Sequence, residues 1–289
     1  MEWLEAIVQG ILLGGRYALF ATGLSLGFGI MRLVNIAHGD LIILAAYVAL
    51  STVALTAMHP LVALVVVVPA MGALGYALQR FLFNRTLGAD ITPPLLVTFS
   101  LSLIVQNALQ GWYSADSQRL QTGDLVTASL PITEDFAIGV FPLLTLVLAI
   151  AVIGSLQLMF ARTALGRAFR AASDDREISQ LMGLNNAHVY GLAMALAFVI
   201  IGLSGVLLGI GTTFDPALGP TQLIFAFEAV IIGGMGSLWG TLAGGMILGI
   251  AQTIGFRLDP GWGLLFGHGA FLAVLAFRPQ GLFPRTRDR

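Results

Sequence analysis

The chain has 289 residues, of which 57% are hydrophobic and 10% charged, with a formal net charge of −1. Soluble domains carry about 25% charged residues, and with a mean hydropathy of +0.90 this deficit leaves too little polar surface for a water-soluble fold, so a polytopic membrane protein is expected. Cysteine and lysine are both absent, which excludes disulfides, thiolate metal sites, lysine Schiff bases and a phosphate-binding GxxxxGKS/T loop.

A membrane-crossing helix needs about 20 apolar residues at about 1.5 Å each. Residues 6–30 form the first candidate span. Glu2 and Glu5 stand where a cleaved leader would be basic, and the apolar run is too long for one. Spans 36–57, 61–82, 93–113, 139–160 and 189–212 follow. His59-Pro60 and Pro93-Pro94 fall at boundaries, where proline suits a helix start. The apolar region 222–255 is interrupted at IIGGMGSLWG, which predicts two short helices, 222–233 and 238–255, broken at Gly233-Gly234. A last span is expected over 260–277. The fold class is therefore an all-α polytopic membrane protein of eight or nine segments, including the glycine-broken pair. Gly10 and Gly14, Gly236, Gly240 and Gly244, and Gly245 and Gly249 repeat at four-residue spacing, a pattern that lets helix backbones approach closely. No internal repeat stands out.

Two polar stretches exceed simple turns. Residues 114–138 hold Asp116, Asp124, Glu134 and Asp135 against Arg119. Residues 161–188 hold Arg162, Arg167, Arg170 and Arg176. Arginine in short loops marks the cytoplasmic side. Putting that group inside with Arg80, Arg85, Arg278, Arg285, Arg287 and Arg289 places the N-terminus outside, the C-terminus inside and loop 114–138 outside. The crossings must then be odd in number, so 222–255 crosses twice or dips in and returns. One membrane domain, 1–289, is expected.

Enzyme chemistry finds little support. His38, His59, His188 and His268 include no i, i+4 pair, there is no HExxH, GLSLG at 23–27 lies inside an apolar span and makes no GxSxG nucleophile elbow, and no catalytic or metal-binding residue is assigned. NIAHGD, residues 35–40, is the polar exception among the first spans. In one reading it is a tight cytoplasmic turn in which Asn35 or Asp40 caps a helix, His38 is interfacial and Gly39 permits the bend. In the other these residues line a path. Either way His38 and Asp40 should face protein or the cytoplasmic mouth, not lipid. Irregular backbone at membrane depth is tolerated only where it is buried in protein or lines a cavity, so Gly233, Gly234 and Gly236 are path candidates too. Arg16 and Glu228 are intramembrane charges, each costing roughly 2.5–3.5 kcal/mol on insertion scales. They either pair across the bundle, or Arg16 snorkels outward from near a helix end.

In LGRAFRAASDDREISQLMGLN, residues 165–185, Leu165, Phe169, Ala172, Ile178, Leu181 and Met182 recur at roughly helical spacing among charges, and Gly183 supplies a C-cap. This is a short amphipathic helix pair, read either as a peg for a groove on a soluble partner or as a solvated basic loop that fixes topology.

This stretch resembles the cytoplasmic coupling loop of inner-membrane permeases of bacterial ABC importers. GLSLGFGIMRLVNIAHGDLIILAAYVA (23–49), AVIIGGMGSLWGTLAGGMILG (229–249) and RPQGLF (278–283) are similar to one branch, the branched-chain amino acid (Liv-type) permeases, and nearer its shorter H-type subunit than its M-type. The resemblance covers nearly the whole chain. It implies a multi-pass inner-membrane subunit working with a second permease (M-type, or a second copy), two ATPase subunits that hold the ATP-Mg, and a periplasmic binding protein. No cofactor in this chain and no nucleic acid are implied. The ATPases would dock at Gly166, Arg167, Arg170, Asp174, Asp175, Leu181 and Gly183. The solute would pass Asn35, His38, Gly39, Asp40, Glu228, Gly233, Gly234 and Gly236. Loop 114–138, with Asp215-Pro216 and Gly219-Pro220, would meet the binding protein or be an ordinary solvated loop. Arg16 and Glu228 depart from the family pattern. The implied substrate is a branched-chain or related amino acid, with urea, short amides or other small acids as alternatives. The rival of a different class is a stand-alone secondary transporter or channel, in which His38, Asp40 and Glu228 carry protons.

Overall fold

The computed structural model describes residues 2–88, 92–133 and 136–283. Glu134, Asp135, Arg285, Arg287 and Arg289, used above for loop charge and orientation, lie outside the described residues. In chain order the helices are α1 (Glu2–Met31), α2 (His38–Thr56), α3 (Leu64–Phe81), α4 (Thr92–Tyr113), α5 (Val140–Arg162), α6 (Ala164–Asp174), α7 (Arg176–Leu181), α8 (Asn186–Gly211), α9 (Gly219–Gly233), α10 (Leu238–Leu258) and α11 (Gly263–Phe277). Among the described residues seven helices are long and apolar enough to cross a membrane, and α9 and α11 are shorter apolar helices. The protein is an all-α polytopic membrane protein, and α9 ends at the glycine pair that the sequence marks as a break. A small hairpin was not anticipated. β1 (Ser129–Thr133) and β2 (Phe136–Gly139) pair antiparallel, Ser129 opposite Gly139 and Leu130 opposite Ile138, inside the polar loop.

The chain forms two compact units. The first comprises Met1–Ser25, Thr122–Ile153 and Ile224–Arg289. Its framework is backbone-close helix packing. A Cβ on Gly10 would lie 2.5 Å from Ile250 Cα, and one on Gly245 would lie 2.7 Å from the Gly14 carbonyl oxygen. Lipid supplies no hydrophobic drive between helices, so such close approach carries the association of α1 with α10. The glycine spacings of the first span and of 245–249 are thus two halves of one interface. Gly233 and Gly240 meet in the same way between α9 and α10.

The second unit comprises Leu26–Gln121 and Gly154–Leu223. Its axis is α8, apolar all round and largely buried, as expected of a central helix. α3 lies along it, with Gly75 under Phe198 and Gly191 under Tyr76. Tyr76 and His188 share a hydrogen bond of 2.8 Å near one end. α2 lies on another side, where Gly205 meets the backbone of Ile42 and Ala46. After α4, backbone hydrogen bonds from Gln118 to Phe214 (2.7 Å) and from Leu120 to Gly209 (2.8 Å) tie the polar loop's first residues to the end of α8 and beyond.

Candidate transport path and coupling surface

NIAHGD lies in the second unit. Arg32 turns the chain out of α1 with φ of 53°. The Asn35 side chain accepts from the Ala37 N–H (3.1 Å), and the Asn35 carbonyl accepts from the His38 N–H (3.1 Å), so Asn35 builds the turn that opens α2. Asp40 does not cap, which corrects one alternative above. It reaches across to α4, accepting from Ser102 Oγ (2.5 Å) and Gln106 Nε2 (2.9 Å). His38 and Asp40 are buried, at 2% and 1% exposure, and so face protein as required. Gly39 serves close approach, not a bend: a Cβ there would overlap the Gly219 carbonyl at the start of α9. A Cβ on Gly219 would in turn strike the Asp40 carboxylate, which therefore sits where a helix N-terminus favours negative charge.

The position of NIAHGD along the neighbouring helix follows from two contacts. Ser102 stands at the middle of the 22-residue α4, and Ser51 of α2 is hydrogen-bonded to Tyr113, the last residue of α4. Between these contacts α2 and α4 run side by side, so α2 begins level with mid-α4. Asp40 fits this register: a buried carboxylate is tolerated only with donors, and α4 supplies them about halfway along its length.

Glu228 belongs to the first unit. Its partner is His268, whose Nδ1 lies 2.5 Å from Oε1, and not Arg16. Arg16 is at the middle of the 30-residue α1, far from either end, so the snorkelling argument fails as well. Its guanidinium carbon instead lies 5.7 Å from the centre of the Tyr17 ring. Tyr17 donates to Gln252 Oε1 (2.7 Å). The helix break follows at once: Gly234 and Gly236 have φ of 100° and 82°, and Ser237 caps α10 through Gly240 N–H (3.1 Å). The carbonyls at the end of α9 are satisfied by the chain's own C-terminal segment. Leu282 N–H bonds to Ile232 (2.9 Å) and Phe283 N–H to Gly233 (3.0 Å). Sequence reasoning missed this use of RPQGLF, as it missed His268, although the glycine of RPQGLF was the available signal: Gly281 has φ of 79° and lies on Gly234.

The helix pair over 165–185 forms as the capping residues dictate. Thr163 Oγ1 accepts from Gly166 N–H (3.0 Å) to open α6. Asp175 accepts from Glu177 and Ile178 N–H (2.8 and 2.9 Å) to open α7. Gly183 closes it at φ of 85°. Phe169 and Ala172 turn inward, whereas Ile178, Leu181 and Met182 are exposed, Leu181 at 87%. The apolar residues of the expected helix pair therefore divide between two faces, because the cap at Asp175 restarts the helix with a new phase. Gly166 packs on the Phe160 backbone, and Arg170 donates to the Phe160 carbonyl. Tyr190 donates to the Ala172 carbonyl (3.2 Å), and Asn186 Nδ2 to the Arg176 carbonyl (2.8 Å). A groove of about 540 Å³ opens between the helices, lined by Arg167, Ala171, Asp174, Ile178 and Met182 among others.

Residues 6–275 match the model of the family described as "Branched-chain amino acid transport system / permease component". The chain belongs to this family.

Similar proteins include the high-affinity branched-chain amino acid transport system permease protein BraD of Pseudomonas aeruginosa, 29% identical over 98% of this chain and 96% of that one. LivH of Escherichia coli, whose name describes the same system, is 26% identical over 99% of this chain and 96% of its own. The fructose import permease protein FrcC of Rhizobium meliloti is 30% identical over 94% of this chain and 81% of its own.

In this permease-family chain the path candidates separate by unit. Asn35, His38, Gly39 and Asp40 are gathered in the second, with Ser102, Gln106 and Gly219 added by the fold. Glu228, Gly233, Gly234 and Gly236 belong to the first, with His268 and the 281–283 segment added. Of the coupling candidates, Arg167, Asp174 and Leu181 face outward. Gly166, Arg170, Asp175 and Gly183 hold the permease's helix pair in shape.

Proposed function

We propose that this chain is the membrane-spanning permease subunit of an ATP-driven importer for branched-chain or related amino acids. A periplasmic binding protein delivers the solute, and ATP is hydrolysed by partner ATPases that dock on α6 and α7. The N-terminus is outside and the C-terminus inside the bacterial inner membrane. A second permease, an M-type chain or a second copy, completes the pathway. The observation that carries this reading is the exposed apolar rim of Ile178, Leu181 and Met182 on a helix pair bolted to the transmembrane helices, in a chain matched by the family model almost end to end.

The mechanism follows from the attachments. α6 is held to the end of α5 through Arg170 and Gly166, and to α8 through Tyr190. Displacement of α6 and α7 by ATP-driven closure of the partners is therefore passed to α8 as a rigid push. α2 and α3 ride on α8 through glycine contacts too close to slip. The outcome is a rocking of this helix group, the usual basis of alternating access. Asp40 keeps α2, α4 and the start of α9 together during that movement.

The test is reconstitution with the partner permease, the ATPases and the binding protein in liposomes. Labelled leucine uptake should require internal ATP and stop when α7 is disrupted. Uptake by this chain alone, driven by a proton gradient, would overturn the proposal. Fructose or urea taken up in preference to leucine would move the substrate class.

A further inference from the structure

Five buried side-chain polar atoms in the first unit lack a protein partner among the described residues: Ser25 Oγ, Thr122 Oγ1, Arg16 Nε, Glu228 Oε2 and Gln252 Nε2. The last two belong to one neighbourhood, which Arg16 adjoins through Tyr17, its guanidinium carbon 5.7 Å from the centre of that ring. Gln252 gives its carbonyl to Tyr17 (2.7 Å), which turns its amide nitrogen away from that bond. A Cβ on Gly267 would lie 2.9 Å from this nitrogen, and the next residue, His268, holds the other oxygen of Glu228. The Phe225 ring joins the two sides, 4.9 Å from the Tyr17 ring and stacked 6.4 Å from His268. Glu228 and Gln252 are 4% and 1% exposed.

Unsatisfied polar groups at membrane depth are costly, and Arg16 Nε, Gln252 Nε2 and Glu228 Oε2 are complementary in kind, two N–H donors and one carboxylate acceptor. We infer that Arg16, Gln252 and Glu228 form a transit site for the zwitterionic head of an α-amino acid. The ammonium sits at Glu228 Oε2, and the carboxylate takes the N–H groups of Gln252 and Arg16. His268 and Tyr17 are positioning residues, each occupying the far atom of its partner so that the near atom points at the solute. The aliphatic side chain meets the apolar cluster of Phe225, Ile232 and Leu248. This inference rests on the proposed function and names the solute chemistry of a site within it.

The experiment uses the reconstituted importer and measures leucine uptake and ATP hydrolysis stimulated by leucine-loaded binding protein in the same vesicles. Glu228→Gln and Gln252→Leu should each lower leucine moved per ATP about tenfold, the worth of one hydrogen bond to a charged group, while stimulated hydrolysis stays within about twofold of the parent. Glu228→Asp should recover part of the loss. A merely structural role would lower uptake and hydrolysis together, along with subunit co-purification, and that result overturns the inference. So does an unchanged leucine-to-ATP ratio in both variants. A parent complex that moves no leucine refutes the proposed function itself and is distinguishable from either.

Discussion

Gly281→Ala perturbs a contact whose cost can be worked from the geometry. Gly281 has φ of 79°, where an L side chain costs roughly 1–2 kcal/mol. The added methyl would lie 2.5 Å from both the N and Cα of Gly234 and 2.6 Å from the Ile231 carbonyl oxygen, all backbone atoms that cannot swing aside. Relief requires the segment to lift, which breaks the bonds from Leu282 to Ile232 and from Phe283 to Gly233, each worth about 1 kcal/mol. The expected loss is about 3–4 kcal/mol, or a fall in Tm of roughly 6–16 °C at the sensitivity of a large domain. Thermal melting of the detergent-solubilised complex measures it. Gly269→Ala is the internal control: it lies within α11 with no atom within 4 Å of its Cβ, and alanine in a helix should leave stability unchanged or raise it by about 0.5–1 kcal/mol. If Gly281→Ala melts within about 2 °C of the control, the C-terminal segment does not hold the break, and the reasoning fails.

Other outcomes follow from single contacts. Ser102→Ala leaves Asp40 with Gln106 as its remaining side-chain donor and should cost about 1.5–3 kcal/mol; an unchanged melting curve would contradict the clamp between α2 and α4. Asp175→Ala removes both capping bonds of α7, worth about 1 kcal/mol, so hydrogen exchange over 176–181 should quicken roughly fivefold while the transmembrane helices stay protected. Leu181→Glu, at a side chain 87% exposed, should shift stability by less than about 0.5 kcal/mol yet abolish co-purification of the ATPase subunits; a stoichiometric complex would exclude Leu181 from the docking surface.

Much of the architecture was legible because the bilayer reduces the choices. Every backbone group in lipid must be satisfied within the segment, so apolar run length alone yields the long helices, and Gly233-Gly234 between two such runs yields the break. Caps were legible for a similar reason: Gly183 has a local role that does not depend on what lies opposite. The β1–β2 hairpin was not legible, since a few alternating residues in a polar loop carry no membrane signal. The partners of buried polar groups were not legible either. Asp40 finds Ser102 and Gln106 more than sixty positions along the chain, and Glu228 finds His268 forty positions on. Arg16 looked like the natural mate for Glu228 by charge, yet helix packing puts an imidazole there.

What the sequence by itself determined is the set of helices, the position of their break and the exposed helix pair over 165–185, because these follow from hydropathy, backbone satisfaction and capping within short stretches. What only the tertiary structure decided is which polar groups meet and at what depth: Asp40 at mid-α4, RPQGLF on the end of α9, and Glu228 and Gln252 joined through the Tyr17, Phe225 and His268 rings. Such pairings depend on helix register and rotation, which glycine contacts between distant segments set and which no local window contains.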